Sequence, residues 1–329
     1  MAKEELNNIF GDLDVHLREL EEERKKKSDK NTYTWLVGLL LSFLFAFFCM
    51  ILIPVAPFKF FLPVVFLILG ITFTYYLSQI LKKEFQNSFK EKIIQRLIKS
   101  HYPNFSYHPL KHISLQDFRN AKLFKRKPHH FSGEDWIEGK YEDTDFRLSE
   151  LKATYESKDN DGHTTSNTIF DGLFMIADFH KYFHSRTYVI PETGWKAIGL
   201  NKKKHAGASL IEMEDPEFER RFRVFSTNDQ DARYILSPAM MERICKLQDK
   251  FKGDLHISFR GATMNIAISN NLDFFEHDIN KPLYPRSPVK EHIDDLKAII
   301  GIMDDLSLNT RIWSKIPIRL LADEDEEVD

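Results

Sequence analysis

WLVGLLLSFLFAFFCMILI, residues 35–53, and FFLPVVFLILGITFTYYLSQI, residues 60–80, are runs of 19 and 21 residues without a single charge. At a helical rise of about 1.5 Å per residue, each reaches across the roughly 30 Å hydrocarbon core of a bilayer. A helical hairpin buried in a soluble protein would show polar positions at helical spacing, whereas these runs are apolar all round except for scattered Ser, Thr and Tyr. The connection Pro54-Val55-Ala56-Pro57-Phe58-Lys59 leaves room only for a tight turn, and its prolines end the first helix by removing backbone donors. The expectation is a two-helix transmembrane hairpin over residues 32–82.

Basic residues orient it. Arg24, Lys25, Lys26, Lys27 and Lys30 precede the first run, and Lys82, Lys83, Lys90 and Lys92 follow the second, while the turn offers Lys59 alone. Both flanks, and with them both termini, are therefore expected in the cytoplasm of a plasma (inner) membrane. The first run begins too late, and is too long, for a signal peptide. Tyr33, Trp35, Tyr75 and Tyr76 suit the headgroup layer.

Around the hairpin, residues 1–31 read as an amphipathic helix with Leu6, Phe10, Leu13, Leu17 and Leu20 in steps of four and three. Phe85, Phe89, Ile93 and Leu97 continue the second run as a helical extension over 83–100, which Pro103 stops. The hairpin brings these two helices side by side, so a short antiparallel cytoplasmic stalk is expected. Pairing within one chain and pairing between two copies, a homo-oligomer, are both left open by the spacing.

Residues 101–310 read as one cytoplasmic α+β domain with mostly antiparallel strands and flanking helices. Ser114 and Asp117 have capping-box spacing for a short helix. Strands are expected at 136–141, 146–155, 168–176, 186–190 and 222–226. Ser237-Pro238 opens a helix that Gly253 closes, and 255–259 and 264–268 form a hairpin around Gly261-Ala262. A last helix spans about 289–306, and residues 311–329 form an acidic tail.

With 46 basic and 49 acidic residues the net charge is −3, which argues against a nucleic-acid partner. Two cysteines, Cys49 in the first run and Cys245 on a helix, build neither a disulfide framework nor a thiolate metal site. Asp159-Asn160-Asp161-Gly162 lacks the strongest ligands of a calcium loop and reads as a hairpin turn. His180 and His184 have the i, i+4 spacing that on a helix could face one metal, but no Glu accompanies them. No catalytic residue, cofactor or metal site is assigned. The juxtamembrane cluster Lys122, Lys125, Arg126 and Lys127 is the candidate contact for anionic lipid headgroups. Asp229 and Arg233 are placed to form an ion pair where a strand meets a helix.

Several segments carry a resemblance: Glu138-Gly139-Lys140 through Phe146 to Ser149-Glu150-Leu151; Ile169-Phe170-Asp171-Gly172-Leu173-Phe174 with Ala177-Asp178-Phe179; Asp215-Pro216 through Met241-Glu242-Arg243; and Phe274-Phe275-Glu276. Together, over about residues 85–310, they resemble the bacterial membrane family called domain of unknown function 3137, with Ser237 where Thr is more usual. Phe170, Gly172, Asp178, Asp229, Arg233 and Tyr234 are its candidate signature residues here. The resemblance implies a paired-helix anchor with a cytoplasmic domain and supplies no reaction. The function expected is an integral membrane protein binding a protein partner or anionic lipid headgroups. The alternative is a membrane-tethered enzyme, such as a hydrolase using His180, Asp178 or Asp229, and a transporter component ranks last because the runs carry no charge for an ion pathway.

Overall fold

The computed structural model describes residues 2–52, 56–158, 162–192, 204–269, 274–283 and 287–306, without the side chains of 2–15, 52, 56–60, 180, 181, 183 and 287–289. The turn at 53–55, the Asp159–Asp161 loop and the acidic tail fall outside the described residues, as do the Leu6, Phe10 and Leu13 side chains. The chain divides into two compact units, Met1–His101 with Phe275–Asp295, and Tyr102–Phe274 with the residues from Leu296 onward.

In the first unit, α1 (Ala2–Leu52) is one unbroken helix, so the amphipathic segment and the first apolar run share an axis. α2 (Ala56–Phe89) passes through a π turn at Lys90–Ile94 into α3 (Gln95–His101). Both long helices are apolar enough to cross a membrane, and only 11% and 17% of their most apolar windows is buried, unlike core helices of a soluble fold. Phe43, Phe47, Ile51, Phe61, Ile68 and Phe73 remain more than half exposed, an apolar surface of the kind that marks an interaction site.

The two helices close on each other through small residues. A Cβ on Gly38 would stand 2.2 Å from Thr74 Oγ1, and one on Gly70 would stand 2.1 Å from Ser42 Oγ. Each hydroxyl turns back on its own helix, Ser42 donating to Gly38 O at 2.6 Å and Thr74 to Gly70 O at 2.8 Å. Gly38-x-x-x-Ser42 and Gly70-x-x-x-Thr74 thus interlock reciprocally, allowing the close approach that packs helices where water supplies no driving force.

Beyond the apolar runs the helices form the expected stalk, paired within the chain. Leu17 and Leu20 are buried with Phe85, Phe89, Ile93 and Leu97. Lys92 donates to Glu23 at 2.7 Å, and Lys27 bridges Glu23 and Glu84. Residues 275–295 also pack here, which periodicity did not reveal. Arg24 is buried, holds Glu21 through two 2.8 Å bonds and donates to Ile279 O at 2.8 Å, while Glu21 accepts from Leu283 N. This pairing pulls the Glu21 carboxyl below its usual range. His277 stacks on Phe89, its ring centroid 5.4 Å away, and His292 lies 5.1 Å from the same ring.

The second unit is α+β. Its eight-stranded antiparallel sheet comprises β1 (Ser106–His108), β2 (His130–Tyr141), β3 (Thr144–Lys158), β4 (Thr164–Pro191), β5 (Lys204–His205), β6 (Ala208–Ile211), β7 (Phe222–Ser226) and β8 (Asp254–Ser269). The order is β1-β2-β3-β4-β7-β6-β5, with β8 along the other edge of β4. β4 organises the sheet: residues 164–177 pair with β3, residues 187–191 with β7, and β8 follows both halves.

Two expectations are corrected here. The strands read at 168–176 and 186–190 are one bent strand. The hairpin read around Gly261-Ala262 is also one strand, since 257–260 and 263–269 both pair with β4. Gly261, at φ +58°, and register breaks on β4 at 178–183 and 183–186 supply a shared bend instead of a turn. Gly172, at φ +147° within β4, occupies backbone space that glycine enters readily.

Helices α4 (Leu115–Asn120), α5 (Pro216–Arg221), α6 (Asp229–Ile235), α7 (Pro238–Phe251) and α8 (Ser287–Asp305) complete the fold. Ser114 caps α4 by accepting from Asp117 N, and Asp215, Asn228 and Ser237 cap the next three helices in the same way. α7 ends on Lys252 in the left-handed region, φ +52°, and not on Gly253 as expected. Cys245 on its buried face is a structural thiol, pushed up to about 11 by burial. The core joins Phe118 and Leu123 to Phe170, Phe174, Tyr188, Phe225 and neighbouring aliphatics, and is dominated by aromatic rings.

Candidate functional site

The residues after α4 build a basic pocket within the second unit. Lys122 sits in the left-handed region, φ +53°, which turns its carbonyl to accept from His205 Nε2 at 2.8 Å. β5 thereby delivers Lys204 and His205 to the loop 121–127. The resulting cavity of about 360 Å³ is lined by Arg119, Lys122, Lys125, Arg126, Lys127 and Lys204 over Phe118, Phe124, His205 and Ala206. All four sequence-predicted cations therefore meet in one place. Arg119, Lys204 and His205 were missed, although the Lys202-Lys203-Lys204 run hinted at a second basic segment.

Among the described residues none of these six cations forms an ion pair, while Arg24, Lys92, Arg221, Arg223 and Arg233 elsewhere are each matched to carboxylates. Arg126 sets its guanidinium over the Tyr155 ring, 4.3 Å from the centroid, a contact that orients the group without neutralising its charge. The floor is neutral and buried. His205 is 3% exposed, burial lowers its pKa, and the bond to Lys122 O assigns the proton to Nε2. Its Nδ1 is then a buried acceptor without a partner among the described residues. Behind it, burial drives His256 down to about 4, and Phe124 packs on that ring at 4.9 Å. Six positive charges over an aromatic, uncharged base suit an anion bearing several oxygens.

The other singled-out residues do not join this pocket. Phe170 is a fully buried core ring, and Asp178 stands on β4 opposite Thr263. Asp229, in the first turn of α6, accepts from Arg233 at 3.1 Å, and Arg233 also reaches Glu214 at 2.7 Å and Glu212 O at 3.0 Å. That exposed network ties α6 to the segment before α5, and Tyr234 beside it is 47% exposed. His180 and His184 lie on a strand and not on a helix, so the helical facing that the i, i+4 spacing would give does not arise. The His180 side chain is outside the described residues. Among the described residues, Glu134, Asp135 and Glu150 form a group of carboxylates within 4.8 Å of one another, with Tyr107 donating to Asp135 at 2.5 Å.

Residues 168–308 match the family described as "Protein of unknown function (DUF3137)". This stretch is similar to the DUF3137 family. The match begins within β4 and runs through α8, and the description names no activity. No curated protein matches the chain. One solved structure aligned to it is the crystal structure of the mycobacterial trehalose monomycolate transport factor A, TtfA, at 11% identity and a TM-score of 0.35 over 70% of this chain and 97% of that one. A likeness at that level carries no weight for fold or function.

Proposed function

We propose that this chain is a bilayer-anchored binding protein whose second unit holds anionic phospholipid headgroups in the basic pocket. The observation that carries the reading is the convergence of six cations with no carboxylate partner among the described residues. Arg24, Lys92, Arg221, Arg223 and Arg233 are each matched to carboxylates, whereas this unbalanced cluster suits counter-ions that arrive from outside. Each Lys or Arg near an anionic leaflet contributes about 1 kcal/mol, so Lys125, Arg126 and Lys127 together supply about 3 kcal/mol. That corresponds to about a hundredfold in affinity. The two apolar helices would anchor the chain, and the basic flanks place both termini in the cytoplasm by the positive-inside rule.

The test is to purify the full-length protein and the Lys125→Ala/Arg126→Ala/Lys127→Ala variant in mild detergent and quantify co-purifying lipids and proteins. Enrichment of phosphatidylglycerol over phosphatidylcholine, lost in the variant, supports the proposal. Equal enrichment in both, or a stable protein partner retained only by the parent, replaces it. Orientation is tested separately at Lys203→Cys: labelling by a membrane-impermeant thiol reagent in intact cells would sink it.

A further inference from the structure

A second site lies at the shared bend of β4 and β8. There Arg186 and Arg260 are direct cross-strand partners, an arrangement that costs energy because like charges face each other across a ladder. Arg147, held by Asp117 at 3.1 Å, lines the same cavity of about 570 Å³. Neither Arg186 nor Arg260 has a carboxylate partner among the described residues. Two buried groups are also left without partners. Among the described residues Arg260 Nε has no acceptor, and Ser185, 5% exposed and lining the cavity, has no hydrogen-bond partner for its Oγ. Buried donors in native proteins are ordinarily satisfied, so orphans beside an uncompensated pair of guanidiniums point to a missing acceptor.

Charge sets its class. Among the described residues Asp117 is the single carboxylate in the lining, so three guanidiniums leave two positive charges unbalanced. Asn120, Thr263 and Asn265 add neutral polar groups, and Tyr182 and His184, their rings edge to face at 5.0 Å, add an aromatic wall. The space exceeds that of a bare phosphate and suits a small molecule. We infer that this cavity binds a small phosphate monoester, whose dianionic head is held between Arg186 and Arg260 with Ser185 as a further donor, and whose body lies against Tyr182. A phospholipid diester carries one negative charge and balances the pair less well.

The experiment is calorimetric titration of the detergent-solubilised full chain with glycerol 3-phosphate, with inorganic phosphate and chloride as comparisons, on the parent, Arg186→Gln, Arg186→Lys, Arg260→Gln and the Lys125/Arg126/Lys127 triple alanine variant. Saturable binding is expected, weakened about tenfold or more by either Gln variant, since a charge-assisted bond contributes about 1.5–3 kcal/mol. Arg186→Lys, which keeps charge without the fork, falls between, and the triple variant retains the saturable phase that the Gln variants weaken. Without ligand, Arg260→Gln is at least as stable as the parent, because the facing charges are relieved. Absence of saturable binding at millimolar concentration overturns the inference. So does binding unaffected by the Gln variants, or equal loss in the triple variant, which would transfer the ligand to the basic pocket.

Discussion

Gly70→Ala tests the helix pairing that defines the first unit. The added Cβ would meet Ser42 Oγ at 2.1 Å and Ser42 Cβ at 2.8 Å, so rotating the hydroxyl away cannot clear it. Against an ordinary contact of 3.4 Å, the helices must separate locally by about 1 Å, enough to forfeit much of the dispersion well at the crossing. Overpacking of this kind costs about 1–3 kcal/mol. Alanine meanwhile gains about 1 kcal/mol over glycine in helix propensity, so the single variant alone understates the clash. A double-mutant cycle with Ser42→Gly removes that ambiguity, because propensity terms cancel and the contact does not. Measured by equilibrium unfolding in detergent micelles, Gly70→Ala should destabilise the parent yet be neutral or stabilising in the Ser42→Gly background, with a coupling of about 1–3 kcal/mol. The same effect in both backgrounds would refute the interlocked packing.

Three further outcomes follow from the geometry. His256 and His292 are held near 4 when folded against about 6.5 unfolded, so they stay neutral in the native state. The stability present above pH 6.5 falls as the unfolded chain takes up protons, down to about pH 4. Between pH 7 and pH 5 each costs about 2 kcal/mol, and His256→Leu should flatten the pH slope of urea unfolding. Phe118→Ala empties a site packed against Phe124, Phe131, Phe170 and Phe174 and should cost about 3–5 kcal/mol in thermal unfolding, whereas the triple alanine variant of the exposed lysines and arginine loses no more than the Arg126–Tyr155 contact, about 1 kcal/mol. Lys252→Gly relieves a left-handed residue at the end of α7 and should stabilise by about 0.5–1 kcal/mol in the same assay.

What could be read from the sequence was local. The two uncharged runs identified the hairpin because length and composition suffice, and Ser114, Ser237 and Pro238 marked helix starts because capping needs only three neighbouring residues. The stalk followed from Phe85, Phe89, Ile93 and Leu97 for the same reason. The Gly261-Ala262 error came from chemistry that fits both a turn and a bend: a glycine at positive φ serves either, and only the register of β4 decides. The basic pocket was half legible. Lys122 to Lys127 are contiguous, but Lys204 and His205 arrive through the His205–Lys122 bond, which no spacing rule anticipates. Arg186 opposite Arg260 was invisible for the same reason, since cross-strand register is set by the whole sheet.

Headgroup binding at the basic pocket is tested most directly by photo-crosslinking. The full-length protein is incorporated into vesicles carrying phosphatidylglycerol or phosphatidylcholine with a photoactivatable headgroup, irradiated, and mapped by peptide mass spectrometry. Adducts on residues 118–127 and 204–206, formed with the anionic lipid and suppressed by high salt, are the predicted result. Adducts confined to the apolar helices with both lipids would contradict it.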